Sequence, residues 1–121
     1  MELSISQMMT MQRELYALHK DTWSAREPDF GKEHILYMVE EIGEVIAILK
    51  KKGSTAVMEN PAVREAFLEE MADVLMYYQD VLLCFHVAPE EISRAYAEKH
   101  RKNMGRDYTR EYKELYDHGQ E

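Results

Sequence analysis

KEHILYMVEEIGEVIAILKKK, residues 32–52, and PAVREAFLEEMADVLMYYQDVLLCFH, residues 61–86, are the stretches on which the fold turns. Each is long enough for about five or more helical turns, and neither is interrupted by an internal proline. In the first, Ile35, Met38, Ile42, Val45, Ile46 and Leu49 recur at helical spacing, and three lysines before Gly53 suit the negative end of a helix. In the second, Asn60 is placed to cap and Pro61 to open a helix. Phe67, Met71, Val74, Leu75, Tyr78, Leu82 and Phe85 then form its apolar stripe. Outside these, Ser4 or Ser6 starts a helix over about 6–22 with Met8, Met11, Leu15 and Leu18 inward, and Pro89 opens another to about Met104. A short polar helix over 109–116 follows. With Pro28, Gly31, Gly53, Pro61 and Pro89 as the breaks, and neither strand alternation nor repeats, the expected fold is all-α, an antiparallel four-helix bundle.

The chain has 121 residues, enough for one domain over 1–121 with a core of about 6–108 and a tail of 109–121. Fifteen basic against 23 acidic residues leave a net charge of −8, which argues against gripping polymeric nucleic acid through its phosphates. No basic segment followed by an apolar run opens the chain, and no long apolar span occurs in it, so neither a secretion signal nor a membrane partner is expected. Cys84 is the one cysteine and sits in the run VLLCF, which suggests a buried, inert thiol and a cytoplasmic setting.

The polar residues that interrupt the apolar faces carry the functional argument. On a helical wheel His34, Tyr37, Glu41, Glu44 and Ile48 share one stripe, away from the solvent face of Glu33, Glu40, Ala47 and Lys51. On the next long helix Glu70 falls within the apolar arc and Asp73 at its edge. Four inward carboxylates on adjacent helices would repel one another unless hard cations neutralised them. None of the five histidines stands three residues after a glutamate, which excludes the paired Glu-x-x-His signature of di-iron bundles. One cysteine and scattered histidines offer no zinc cluster. An oxygen-only set favours Mg²⁺, which leaves positions open for water and phosphate. On the last long helix Lys99, Asn103 and Arg106 continue the face of Ile92, Ala95 and Tyr96, and would meet the far end of a metal-bridged phosphate chain.

Glu40-Glu41-Ile42-Gly43-Glu44 followed by Glu70-Met71-Ala72-Asp73 resembles the EExxE and ExxD pair of the MazG-like all-α nucleoside triphosphate pyrophosphohydrolases. Lys99, Asn103 and Arg106 are similar to the K-x3-N-x2-R tail of that superfamily, which also includes dCTP pyrophosphatases, dimeric dUTPases and phosphoribosyl-ATP pyrophosphohydrolases. The likeness runs from about Gln12 to Tyr108. It implies hydrolysis of a nucleoside triphosphate between its α and β phosphates, giving a monophosphate and pyrophosphate, in a nucleotide-pool-cleaning role. It also implies that Glu41, Glu44, Glu70 and Asp73 are the Mg²⁺ ligands, with Glu40 behind them or acting as base. Lys99, Asn103 and Arg106 become phosphate contacts, and Trp23 and Tyr77 hold base or sugar.

Four carboxylates and a triphosphate together carry about −8, so roughly two or three Mg²⁺ ions are expected, with Mn²⁺ able to substitute. Glu40, Glu41 or Glu44 orients the attacking water, and the residues do not choose among them. Two long helices that are apolar beyond a single stripe imply partner chains, and Ile48, Tyr37, Leu83 and Met76 are candidates to face them. The expected assembly is a symmetric homo-oligomer, a tetramer favoured over a dimer. The alternatives are phosphoribosyl-ATP cleavage and a non-catalytic helical interaction module whose acidic stripes are interfaces.

Overall fold

A computed structural model describes residues 1–106 and 113–115, which are helical or in short connections, with no strand among them. The described residues form the helices α1 (Ile5–His19), α2 (Gly31–Lys52), α3 (Ser54–Glu59), α4 (Pro61–Cys84) and α5 (Pro89–Gly105), with a 3-10 turn at Pro28–Phe30. Met1–Pro89 form one compact unit and the residues from Glu90 onward another. The short helix expected over 109–116 lies largely outside the described residues, as does most of the expected tail.

Local chemistry accounts for the helix ends. Ser4 caps α1 through a reciprocal box, its Oγ accepting from the Gln7 backbone N–H while the Gln7 side chain accepts from the Ser4 N–H. α1 stops at His19 rather than Thr22, because the His19 carbonyl accepts from the N–H groups of both Thr22 and Trp23 and turns the chain. Asn60 caps α4 by accepting from Ala62 and Val63, with Pro61 at the first helical position. α4 closes with the N–H of Val87 on the carbonyl of Leu82 and that of His86 on Leu83, a Schellman arrangement in which His86 takes the left-handed residue (φ 54°) that usually belongs to glycine. The helix α3 was not expected. Gly53, at φ 84° and ψ 159°, turns the chain sharply out of α2, and six residues with Val57 as their buried anchor are too few to show a period.

α4 is the central helix of the first unit, touching α1, α2, α3 and the 3-10 turn. It runs antiparallel to α2: Gly31 lies under Phe85, Tyr37 against Tyr77, and Glu41 beside Glu70 and Asp73. Gly31 has ordinary helical backbone angles, but a Cβ there would collide with the Phe85 ring.

The faces that meet differ from the stripes read by apolar spacing. Along α2 the seam with α4 is Gly31, His34, Met38, Glu41, Val45 and Ile48, each buried or half-buried. Of the expected stripe, Val45 is buried and Met38 half-buried. Ile35, Ile42, Ile46 and Leu49, joined by Val39, form a second row that remains 38–54% exposed. Leu68, Met71 and Leu75 leave a similar row open on α4. Leu83 is buried, Tyr37 and Ile48 are half-buried and Met76 is exposed, so the open apolar surface lies mainly on residues other than those four. In α1 the buried residues are Met9 and Gln12, whereas Met11 and Leu18 face outward. In α5 no residue is buried, and Tyr96, expected on an inner face, is 77% exposed.

Candidate metal centre and adjoining cavity

Glutamate at seam positions of two packed helices is drawn partly out of water. Glu41 occupies such a place between Met38 and Val45 on α2, and Glu70 between Phe67 and Val74 on α4. Asp73, one turn on from Glu70, joins them. One carboxylate oxygen from each of the three lies within 4.8 Å of the others, and all three residues are half-buried. Their proximity is felt most at Glu41, whose carboxyl is pushed up to about 7. The causes are a hydrogen bond with Glu70, then burial, then the negative charges of Asp73, Glu70 and Glu44. A proton is thus held, chiefly by the bond to Glu70, where a cation would also neutralise the three carboxylates. Three oxygen donors with no nitrogen or sulfur ligand among them fit a hard divalent ion such as Mg²⁺.

Not every expected ligand joins this cluster. Glu44 is exposed, one turn beyond Glu41, and acts on it through charge. Glu40 is also exposed, and its charge reaches Tyr37 and Tyr77. Lys99 and Arg106 are exposed and Asn103 half-buried on the second unit, where Arg106 Nη1 donates to Asn103 Oδ1 at 3.4 Å.

A cavity of about 460 Å³ adjoins the carboxylates, and Glu41 and Asp73 form part of its lining. Trp23 and Tyr77, both expected near a base or sugar, line it as well. Tyr37 faces Tyr77 with ring centroids 5.8 Å apart and donates its hydroxyl proton to Glu33. That bond, together with burial and the Glu33 charge, pushes the Tyr37 phenol up, while burial followed by the Glu41 charge does so at Tyr77. Trp23 stacks on His19, with ring centroids at 4.4 Å.

The far end of the cavity is a polar cluster that apolar spacing does not reveal. Arg26, in the connection between α1 and α2, donates Nε to Asp80 Oδ1 at 3.1 Å and Nη1 to the Ser24 carbonyl at 2.7 Å. Its guanidinium also lies 4.7 Å from the centre of the Tyr16 ring. Gln12 Nε2 donates to the same Asp80 oxygen at 3.0 Å. Arg26 Nη1 is 3.3 Å from His34 Nε2 and, since arginine only donates, that nitrogen accepts and the proton belongs on Nδ1. Burial and then the Arg26 charge hold the imidazole below its usual range, hence neutral. Two features of the sequence could have found it: a polar Gln12 within the helical period of α1, and Asp80 inside an apolar run. Cys84 is fully buried beneath, its thiol pushed up by burial, in agreement with an inert role.

Compared with protein-family models, curated proteins and solved structures, the chain finds no match in any of the three. No helix among the described residues is long and apolar enough to cross a membrane.

Proposed function

We propose that the chain is a Mg²⁺-dependent nucleoside triphosphate pyrophosphohydrolase. The observation that carries this reading is the convergence of Glu41, Glu70 and Asp73 beside a cavity walled by Trp23, Tyr37 and Tyr77. Acidic oxygens suit cations that bind phosphate, and flat rings suit a base or sugar. In the reaction water adds to the α phosphorus and the bond to the α–β bridging oxygen breaks, leaving a monophosphate and pyrophosphate.

Glu41, Glu70 and Asp73 would hold the ions, and Glu44 adds negative charge one turn away. Bound Mg²⁺ supplies the positive charge that polarises a phosphate and makes water more acidic. Glu40, Glu41 and Glu44 are the groups available to orient that water and take its proton. Lys99, Asn103 and Arg106 are the phosphate contacts in this reading. The working assembly is a four-helix bundle in a homo-oligomer, tetramer favoured over dimer, which would cover the open row of Ile35, Val39, Ile42, Ile46 and Leu49.

Pyrophosphate release from a panel of nucleoside triphosphates, with Mg²⁺ or with chelator, tests the proposal. Activity is expected with Mg²⁺ alone, and Glu41→Gln or Glu70→Gln should lower it by at least about a hundredfold with the helical circular dichroism unchanged. Undiminished turnover in both variants removes these residues from the centre. No release from any triphosphate overturns the reading.

A further inference from the structure

The two ends of the cavity differ in what they can receive. One is acidic, lined by Glu41 and Asp73. At the other, Trp23 is 39% exposed with the Arg26 guanidinium 5.8 Å from its ring centre, while Gln12, His34 and Asp80 are only 3–4% exposed, so a group arriving beside them leaves water behind and is judged by its hydrogen bonds.

The donor and acceptor inventory of that end follows from partners already placed. Asp80 Oδ1 is taken by Gln12 and Arg26, whereas Asp80 Oδ2 accepts no hydrogen bond from any described residue. An amide can bond a carboxylate only through its NH₂, so the Gln12 contact fixes its orientation and leaves Oε1 as an acceptor with no described donor. Arg26 commits Nε to Asp80 and Nη1 to Ser24 and His34. The Arg26–Asp80 pair is internally neutral and His34 is uncharged, so this end carries no net positive charge to hold a phosphate. Asp80 Oδ2 and Gln12 Oε1 lack an N–H donor, while the protonated His34 Nδ1 is buried without a partner and Arg26 Nη2 has no described acceptor. A neutral ring with an amino group beside a bare ring nitrogen offers a donor and an acceptor together.

Building on the nucleotide reading above, we propose that this buried end reads the edge of a nucleobase that carries an exocyclic amino group, as cytosine and adenine do. Asp80 Oδ2 and Gln12 Oε1 accept from that amino group, and the phosphates run toward Glu41 and Asp73. Uracil and thymine present a carbonyl at the same place and would set oxygen against oxygen. Arg26 is a positioning residue here: its Nε holds Oδ1 so that Oδ2 faces the cavity.

Trp23 is the only tryptophan in the chain, and it lines the cavity, so its fluorescence reports occupancy without any turnover. Titration with deoxynucleoside monophosphates in metal-free buffer isolates the base end from the carboxylate centre. dCMP or dAMP should half-saturate the signal at a concentration at least about tenfold below that of dUMP and dTMP. Asp80→Asn keeps Oδ1 for Gln12 and Arg26 and puts an NH₂ in place of Oδ2, so the order should reverse toward dUMP. Should that variant fail to fold, Gln12→Met removes the other acceptor at similar size and should shrink the preference severalfold while leaving stabilisation by Mg²⁺ unchanged. Equal or tighter binding of dUMP by the unmodified protein would place the remaining Arg26 N–H groups at the base edge and overturn the assignment. Equal hydrolysis of all four triphosphates would overturn it too, while leaving the pyrophosphohydrolase reading intact. Selective monophosphate binding without hydrolysis would do the reverse.

Discussion

Two polar clusters lie along the same pair of helices, and they solve the burial of charge in opposite ways. At one, Asp80 faces Arg26 and accepts from Gln12, so a buried negative charge is answered within the chain. At the other, Glu41, Glu70 and Asp73 gather with no ion pair to any described Lys or Arg, and the hydrogen bond with Glu70, burial and the neighbouring negative charges push the Glu41 carboxyl up to about 7. A compensated cluster explains itself as structure; an uncompensated one asks for something from outside the chain.

Breaking the compensated cluster should have the larger effect. Asp80→Ala leaves Arg26 buried and unanswered, with side-chain exposure of 9%, and is expected to cost about 3–5 kcal/mol in urea unfolding. A loss below about 1 kcal/mol would mean the pair is not holding the connection between α1 and α2. A smaller and opposite effect is expected where α4 ends. His86→Gly relieves a left-handed residue at the cost of an exposed contact to Glu27, and should stabilise by about 1 kcal/mol. The smallest change is at the acidic cluster. Without metal, Glu70→Gln removes one of the mutually repelling charges and should raise stability by about 0.5 kcal/mol at pH 8.

How much of this was legible in the sequence follows from the range of each interaction. Capping and helix breaking act over a few residues, so Ser4, Asn60, Pro61 and Pro89 disclosed the long helices. Glu41, Glu70 and Asp73 stood out because a charge in an apolar arc is anomalous on one helix alone. Which of two adjacent apolar rows on α2 meets α4 is a matter of docking, and the seam fell on Met38 and Val45 while Ile35, Ile42 and Ile46 stayed open. The same docking left Glu44 outside the cluster. Arg26 and Asp80 are 54 residues apart, and Gln12 and Asp80 are 68, so no local pattern joins them.

The account rests on Glu41, Glu70 and Asp73 forming a cation site, and the thermal midpoint measured from pH 4 to 8, with and without Mg²⁺, tests it most directly. The folded-state value of Glu41, about 7, lies above its ordinary 4.5, so the folded form binds the proton more tightly. This contribution is fully present below about pH 4.5 and is lost as pH rises toward 7. Without metal the midpoint should therefore carry a component that falls across that window, a component reduced in Glu41→Gln. Millimolar Mg²⁺ should raise the midpoint by several degrees at pH 8 and far less at pH 5, where protons compete for the same oxygens. Identical midpoints with Mg²⁺ and with chelator at pH 8 would contradict the claim.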